Sequence, residues 1–415
     1  MGNGKGEDMA GIVTLVFDTT TDKPDKHEEL GAVCERALDD LRQRHGALFD
    51  LDRYGRQLRW ELEVACELGL CTAFLVTAKW AGYVRKRGLF LGPGRGAEAG
   101  SLIAYLLGIT QIDPILHQLL PERFFYPRVG QPTFHVDVSP TCENHLRWMV
   151  AENSLPAELL RDDCHHGIGS PRKMCAPTET CCSFLGLHSL QVVETTLALL
   201  RDRKKELPNL VALPLDCREA YELMRPGTAK GIFQIDKQCF EGFLADFVPT
   251  CFEDVVALTS LCGRRHLDSG VAQLFVDVRG KRNEMHIPNV LRSFLAYSWN
   301  LPLYLEQLVA IAKEVGGMSP QDAMHMAWSI FPKTTSAYDA FEELFIAGAA
   351  TRGYSTADID LAVSLFRAYG PWVFTRAHSV AYAHITYWTA FLKAHHPQEF
   401  SLAVELQEQE TASVQ

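Results

Sequence analysis

Apolar residues recur at helical spacing along most of the chain. Three such segments, 28–44, 56–69 and 71–89, lie near the N-terminus, and the stretch from 216 to 400 is almost wholly helical in pattern. Within that stretch the pattern is interrupted at turn-forming positions: Pro226-Gly227, Gly263, Pro302, Gly316-Gly317, Gly353 and Gly370-Pro371. The spacing therefore predicts helices of roughly 10–20 residues separated by these breaks.

One segment alternates with a period of two instead. In QPTFHVDV, residues 131–138, alternate side chains are apolar, which predicts a strand with one buried face. The opposite face carries three polar groups: Thr133, His135 and Asp137. A strand with a carboxylate at every second position can hold divalent cations, whereas this face offers a hydroxyl, an imidazole and one carboxylate. The pattern indicates a metal-binding strand from which part of the metal site has been removed.

The remaining segments show no clear period. Residues 1–26 are polar and Gly-rich around one short apolar run, so we expect a loose N-terminal extension. Residues 139–180 are rich in Cys, His, Pro and Ser and predict a poorly structured connection. Helix returns at 186–205, and residues 406–415 form a polar tail. The predicted architecture is an α+β half followed by a helical half.

Composition narrows the class of protein. With 47% apolar and 22% charged residues, a chain of 415 residues can bury a core of ordinary size. No apolar run approaches the ~20 residues that span a bilayer, and the N-terminus shows no secretion or lipidation signal, so we expect no membrane partner. A net charge of −11 argues against a uniformly basic surface that coats nucleic acid. It leaves room for a local patch, for which the candidates are Arg85, Lys86, Arg87 and Arg95.

The 12 cysteines predict mostly free thiols in a chain that is not secreted. The densest group consists of Cys164, His165, His166, Cys175, Cys181 and Cys182. This group lacks the tight C-x2-C pair of many zinc sites, so zinc is not expected.

A Gly-rich loop precedes the alternating strand. Gly92-Pro93-Gly94-Arg95-Gly96 is followed by Ala99-Gly100-Ser101 and an apolar helix. Glycines allow backbone N–H groups to converge on an anion, a helix N-terminus adds its positive end, and arginine adds a bidentate donor. The candidate phosphate-binding residues are therefore Gly92, Gly94, Arg95, Gly96 and Ser101. A purely structural turn would give the same local pattern.

The loop and the strand belong to a longer similarity. The stretch GPGRGAEAGSLIAYLLGITQIDPILHQLLPERFFYPRVGQPTFHVDV, residues 92–138, resembles the catalytic core of the C-family DNA polymerases, in which GPGRGSGAGSL precedes an Asp-Pro, an E-R-F and P-D-F-D-V-D-F. Five further blocks resemble that family in the same order: CSFLGLHSL at 182–190, GTAKGIFQIDK at 227–237, FEDVVAL at 252–258, YLEQLVAIA at 304–312 and FTRAHSVAYAHITYWTAFLKAHHPQEF at 374–400. Together the blocks cover most of residues 28–405.

The resemblance implies a fold and a chemistry. It implies a truncated polymerase-beta-like nucleotidyltransferase palm over residues 27–215 and a largely α-helical fingers region over residues 216–405. The family aligns the primer 3′-hydroxyl with two Mg²⁺ ions held by three Asp carboxylates, so the implied cofactor is Mg²⁺. The resemblance also places Arg376 and His378 near nucleotide and template.

Two of the three implied aspartates are replaced. The D-V-D pair of the family reads His135-Val136-Asp137, and the Asp that opens D-F-L-G-L reads Ser183. Asp137 is thus the sole retained metal-ligand Asp, and an imidazole and a hydroxyl cannot replace two negative charges around Mg²⁺. Glu98 in the Gly-rich loop also brings a carboxylate toward the implied triphosphate site. These departures argue against Mg²⁺ as a working cofactor here.

Compared with the family, this chain has lost mainly charged residues of the catalytic site. The residues that it retains are largely of the types that pack in a protein core. We therefore expect a bacterial, cytoplasmic protein of the DNA replication and repair family that lacks polymerase activity and binds DNA or a replication or repair protein. The candidate DNA contacts outside the loop are Arg85, Arg87, Arg376 and His378. A residual or unusual metal-dependent nucleotidyltransferase and a non-functional remnant of a polymerase gene remain as alternatives. A binding protein predicts a basic cleft, a remnant predicts broken core packing, and an enzyme predicts further carboxylates that converge on Asp137.

Overall fold

The computed structural model of the protein describes residues 9–22, 24–46, 49–128, 130–152, 165–168, 178–237, 241–261, 263, 266–267, 269–279, 287, 289–330 and 335–414. The first half of the described chain combines strands with helices: β1 Met9–Asp18, α1 Pro24–His45, α2 Leu51–Glu67, α3 Cys71–Lys86, α4 Leu102–Leu106, α5 Glu122–Phe125, β2 Thr133–Val138, α6 Pro140–Ala151, β3 His165–Ile168 and β4 Glu179–Leu187. The second half is helical: α7 His188–Asp202, α8 Arg218–Glu222, α9 Glu241–Asp246, α10 Phe252–Leu261, α11 Val271–Arg279, α12 Asn289–Leu295, α13 Leu305–Glu314, α14 Pro320–Ser329, α15 Thr335–Thr351, α16 Thr356–Tyr369, α17 Arg376–His395 and α18 Pro397–Val414. The α+β class is confirmed, and the predicted helix breaks fall between these helices.

The sheet has the strand order β2-β4-β1-β3. β2 runs parallel to β4, and β1 runs antiparallel to both β4 and β3. The expectation of a loose extension over residues 1–26 is wrong for Met9–Asp18, because β1 lies inside the sheet and buries Val13, Leu15 and Phe17, while residues 1–8 lie outside the described part of the chain. The short run at residues 12–17 is rich in β-branched and apolar residues, as buried strands are, but its partner strands lie about 150 to 180 residues further along the chain.

One other expectation, of a poorly structured connection over residues 139–180, is corrected in part. Within 139–180, residues Pro140–Ala151 form a helix, with the Ser139 side chain accepting from the Cys142 backbone N–H and Pro140 in the first turn. The tail at 406–415 continues helix α18 up to Val414. In the cysteine and histidine group weighed for zinc, Cys164 and Cys175 lie outside the described residues.

Buried side chains form three clusters. The first joins the sheet to α1–α3 and includes Trp80 and Phe134. The second surrounds α17, which is buried on nearly every face and contacts α7 and α10 through residues such as Tyr387 and Trp388. The third lies among α12–α16 and includes Phe345. Among the described residues no single helix is both long and apolar enough to cross a membrane, and α2 with α3 meets that criterion only as a pair bent by 111°.

Candidate functional site

The positions implied as metal ligands meet at the centre of the sheet. β2 pairs with β4 so that His135 lies directly beside Ser183, and β1 pairs with β4 so that Thr14 lies on the other side of Ser183. Ser183 is fully buried, and its Oγ is 3.0 Å from Thr14 Oγ1. The third implied carboxylate position therefore holds a hydroxyl that is hydrogen-bonded within the sheet.

Asp137 forms an ion pair with the arginine of the Gly-rich loop. Asp137 is 1% exposed, and its Oδ1 accepts a hydrogen bond from Arg95 Nη1 at 3.1 Å. Burial raises the pKa of Asp137, while the charge of Arg95 and hydrogen bonds from Arg95 and Tyr382 oppose that rise. The guanidinium also lies 5.7 Å from the centre of the Tyr382 ring. The expected metal ligand and the expected phosphate ligand thus neutralise each other.

Glu98 is a second carboxyl group beside this ion pair. It is fully buried in a 3-10 turn, Glu98–Gly100, and its Oε1 accepts from the His135 backbone N–H at 3.0 Å. Burial raises the pKa of Glu98 to about 8, and the nearby Asp137 adds to the rise. Glu98 is therefore largely protonated at neutral pH, which corrects the expectation of a negative charge facing a triphosphate.

The two histidines of the site are neutral. His135 is half-buried, not solvent-facing, and its pKa is lowered to about 4 by burial and by the charges of Arg95 and Arg123. His378 lies in the first turn of α17, and its pKa is lowered to about 3 for the same reasons. Its Nδ1 accepts from the Gly96 backbone N–H at 3.2 Å, and its ring packs on Tyr382 with centroids 4.0 Å apart. His378 therefore holds the Gly-rich loop in place.

The glycines of the loop serve close packing. The Gly92 N–H donates to the Asp137 carbonyl at 2.7 Å, and a Cβ at Gly92 would lie 3.0 Å from that oxygen. Gly96 has a φ of +73°, and a Cβ there would lie 2.9 Å from Glu98 Oε2. At Gly94 a Cβ would approach the side chain of Thr110 to 3.2 Å. In this conformation the loop packs against β2 and α17, and the N–H groups of Gly92 and Gly96 already have acceptors.

The helix that follows the loop has an internal carboxyl group at its N-terminus. Ser101 Oγ donates to Glu61 Oε2 at 2.8 Å, and the backbone N–H groups of Leu102 and Ile103 donate to the same carboxylate at 2.8 and 3.0 Å. Glu61 comes from α2, is fully buried, and has its pKa raised by burial to about 7. Ser101 is therefore not placed to bind a phosphate, because Glu61 occupies that position.

Arg376 is also a structural residue. It is 3% exposed, and its two terminal nitrogens donate to the two carboxylate oxygens of Glu253 at 2.9 Å each. Its guanidinium lies 4.3 Å from the centre of the Tyr297 ring. The N-terminal N–H groups of α17 at Arg376 and Ala377 donate to Glu306. The expectation that Arg376 contacts DNA is corrected, since its charge is buried and paired.

Arg85 and Arg87 lie at the C-terminal end of α3. Both are exposed, together with Lys86 between them. Arg85 Nη1 donates to the Gly108 carbonyl at 2.5 Å, and the Arg87 guanidinium lies 5.2 Å from the centre of the Tyr83 ring. These three cations are the exposed remainder of the predicted basic patch.

Sequence reasoning missed several residues that shape the site. The charge of Arg123 in α5 lowers the pKa of both His135 and His378, and the Arg123 guanidinium lies 4.5 Å from the centre of the Trp328 ring. Tyr382 and Glu61 were missed as well, because their partners are distant in the chain. The sequence held a signal for Arg123, since it lies in the E-R-F block of the family resemblance.

The donors around Asp137 do not fit the two Mg²⁺ ions of a polymerase. Mg²⁺ prefers hard oxygen ligands, and proteins hold it mainly through carboxylates together with water and substrate phosphates. The three implied positions offer one carboxylate that is paired with Arg95, one imidazole, and one hydroxyl hydrogen-bonded to Thr14. In the described part of the chain, the groups of three side chains close enough to share a metal ion lie elsewhere: His27 with Cys66 and Cys71, and Cys217 with Glu219 and His395.

Comparison with known proteins places the chain in a family. Residues 30–152 match the model of the bacterial DNA polymerase III alpha NTPase domain, and residues 189–353 match that of the bacterial DNA polymerase III alpha subunit finger domain. The chain is 25% identical to the DNA polymerase III subunit alpha of Aquifex aeolicus across 90% of its own length and 43% of the relative's. The corresponding subunits of Mycobacterium tuberculosis and Escherichia coli K12 are 24% and 25% identical, across 91% and 89% of this chain and 42% of each relative. The chain thus spans less than half the length of these relatives. It is a DNA polymerase III alpha-like protein.

Proposed function

We propose that this protein serves bacterial DNA replication or repair as a non-catalytic relative of the polymerase III alpha subunits that acts by binding DNA. The observation that carries the proposal is the buried ion pair between Asp137 and Arg95 at 3.1 Å. A metal ion at Asp137 would have to displace or tolerate a guanidinium that already neutralises the carboxylate. The intact core clusters support a folded, functional protein over a decayed remnant.

DNA is favoured as the ligand by an exposed cationic segment. Arg85, Lys86 and Arg87 are consecutive and exposed at the end of α3. Since Arg95 and Arg376 are engaged in ion pairs, the cations of α3 are the better candidates for phosphate contacts. Binding of this kind is electrostatic and indifferent to sequence.

A primer-extension assay tests the loss of catalysis. Purified protein, a primed template and four deoxynucleotides are incubated with Mg²⁺ or Mn²⁺, beside a polymerase III alpha subunit as the positive control. We expect no extension in Mg²⁺. Template-dependent extension that disappears in Asp137→Ala would refute the proposal.

A salt titration tests the binding of DNA. Three phosphate contacts predict a slope of about −3 for log affinity against log salt, since each contact to duplex DNA contributes about −0.9. Arg85→Ala combined with Arg87→Ala should reduce the slope by about 2. Arg218→Ala is the matched control, because Arg218 is an exposed arginine paired only with Glu222 among the salt bridges of the described residues. If the double variant and the control bind equally, DNA is not bound through α3 and a protein partner is favoured.

The position of Glu98 favours a second candidate, a residual metal-dependent nucleotidyltransferase. Glu98 brings a second carboxyl group to β2, where it is hydrogen-bonded to His135 and electrostatically coupled to Asp137. Glu98→Gln and Asp137→Asn distinguish the two candidates. Extension in Mn²⁺ that either substitution abolishes would support an enzyme, whereas no extension in any of the proteins supports the binding function.

A further inference from the structure

A group of thiol and imidazole ligands lies at the edge of the first core cluster, between α1, α2 and α3. Cys66 at the end of α2, Cys71 at the start of α3 and His27 in α1 each offer a ligand atom, and these atoms all lie within 4.8 Å of one another. Both cysteines are free thiols. None of these residues contributes to the Asp137 site.

The turn between α2 and α3 brings the cysteines together. Gly69, with a φ of +66°, donates its N–H to the Cys66 carbonyl, and the Leu70 N–H donates to the Ala65 carbonyl. A Cβ at Gly69 would lie 2.0 Å from the Thr19 carbonyl oxygen, so the chain near Thr19 packs directly on this turn. The resulting spacing is C-x4-C, which lies within the range of structural zinc sites.

The distance between the two sulfurs matches a shared metal ion. Cys66 Sγ and Cys71 Sγ are 3.7 Å apart. Two Zn–S bonds of about 2.3 Å at a tetrahedral angle span about 3.8 Å, whereas a disulfide requires about 2.05 Å. The sulfurs can therefore bind one zinc ion without moving the backbone.

The neighbouring Asp22 fixes the geometry. Its carboxylate accepts from the Cys71 N–H at 2.8 Å, the Thr72 N–H at 3.1 Å and the Thr72 hydroxyl at 2.7 Å. The same carboxylate lies 4.0 Å from His27 Nε2. It anchors the start of α3 and places a negative charge beside the imidazole. The His27 side chain is 34% exposed, which leaves an entry path for the ion.

We propose that Cys66, Cys71 and His27 bind one Zn²⁺, with the fourth position taken by water or by Asp22. Thiolate and imidazole ligands select zinc over Mg²⁺. On binding, each of the two thiols releases its proton to solvent and forms an S–Zn bond, so the net reaction takes up Zn²⁺ and releases two protons. The ion would join α1, α2 and α3 and stabilise the part of the fold that supports the sheet.

The test measures zinc uptake by the whole chain. Protein stripped with a chelator under reducing conditions is titrated with ZnCl₂, and bound zinc is determined after gel filtration. Co²⁺ serves as a second probe, because thiolate ligation gives an intense charge-transfer band. We expect one zinc ion in this site, lost when Cys66→Ser and Cys71→Ser are combined. Asp22→Asn should weaken binding by about 10–100-fold, as for other groups that orient metal ligands.

Two controls make the result specific. Cys217→Ser tests the more exposed group in which Cys217 Sγ lies 3.3 Å from His395 Nε2, and Cys251→Ser removes an exposed thiol outside both groups. Both variants should keep the site and the Co²⁺ band. His27→Asn changes a partly exposed residue and should weaken binding even if the cysteine variants fold poorly. Absence of zinc uptake by the wild type, or equal uptake when Cys66 and Cys71 are both replaced, would overturn the proposal.

Discussion

Removal of Arg95 should destabilise the protein through the charge it leaves behind. In Arg95→Met the buried Asp137 carboxylate loses a guanidinium nitrogen at 3.1 Å. At that distance the attraction between unit charges is about 5 kcal/mol for an effective dielectric constant of 20. Breaking a buried pair by removing one partner lowers the free energy of unfolding by about 3–5 kcal/mol. Because the Arg95 side chain is 25% exposed, we expect a value near the lower end, about 3 kcal/mol at neutral pH.

The pH dependence identifies the cause. Burial already holds the pKa of Asp137 above its ordinary value, and without Arg95 that pKa rises further. A carboxyl group whose pKa is raised in the folded state favours folding while it is protonated, and this contribution is lost as the pH rises through the folded pKa. The loss of unfolding free energy in Arg95→Met, relative to the wild type, should therefore be smallest near about pH 4 and grow toward about pH 8.

The assay is urea denaturation followed by tryptophan fluorescence, since Trp80 is buried in the first core. The double variant Arg95→Met with Asp137→Asn removes both charges, so it should be more stable than Arg95→Met alone. Equal deficits at acidic and alkaline pH, together with strict additivity in the double variant, would refute the view that the ion pair neutralises a buried carboxylate.

Three further outcomes follow from the geometry. Burial raises the pKa of Glu98 from 4.5 to about 8, so wild-type stability should fall as the pH rises between these two values, and Glu98→Gln should lose less stability in urea denaturation between about pH 5 and pH 8. Glu61→Ala leaves three donors at the start of α4 without their acceptor and should lower the free energy of unfolding by about 3 kcal/mol, with Glu61→Gln affected less. Arg376→Ala should lower the same quantity by about 1.5–3 kcal/mol, because it removes the charge-assisted hydrogen bonds of a buried guanidinium, while the Glu253 carboxylate that remains is 36% exposed. In a salt titration it should leave DNA affinity and its salt slope unchanged, and a reduced slope would return Arg376 to the DNA-binding surface.

Local periodicity explains which elements the sequence predicted. The alternation at 131–138 and the helical spacing in α1–α3 report burial on one side of a single element, and the structure has these elements nearly at the predicted places. β1 was missed because its stability comes from β3 and β4, and nothing near residues 9–18 records those partners. Helix α6 was missed although Ser139-Pro140 is a typical helix start.

The sequence predicted which residues form the candidate site, but it did not predict which residue each of them contacts. The family resemblance identified Asp137, Arg95 and His378 as neighbours of one site, and the structure brings them together. Which charge each residue meets depends on contacts across the fold: Arg95 and Asp137 are separated by 42 positions, and Arg376 and Glu253 by 123. A sequence lists charged groups without showing whether they face water or each other, so exposed phosphate ligands were expected where ion pairs are found.

The contacts around Asp137 explain how the site holds together without the carboxylates that the family uses. A buried carboxyl group is stabilised either by an opposite charge or by being protonated. Arg95 provides the opposite charge for Asp137, and the raised pKa of Glu98 favours its protonated form. His135 adds no charge because burial and nearby arginines keep it neutral, and Ser183 is satisfied by Thr14. Charge balance is thus reached between neighbouring side chains. A divalent ion placed here would upset that balance, which supports the proposal that Asp137 serves the ion pair with Arg95 and not catalysis.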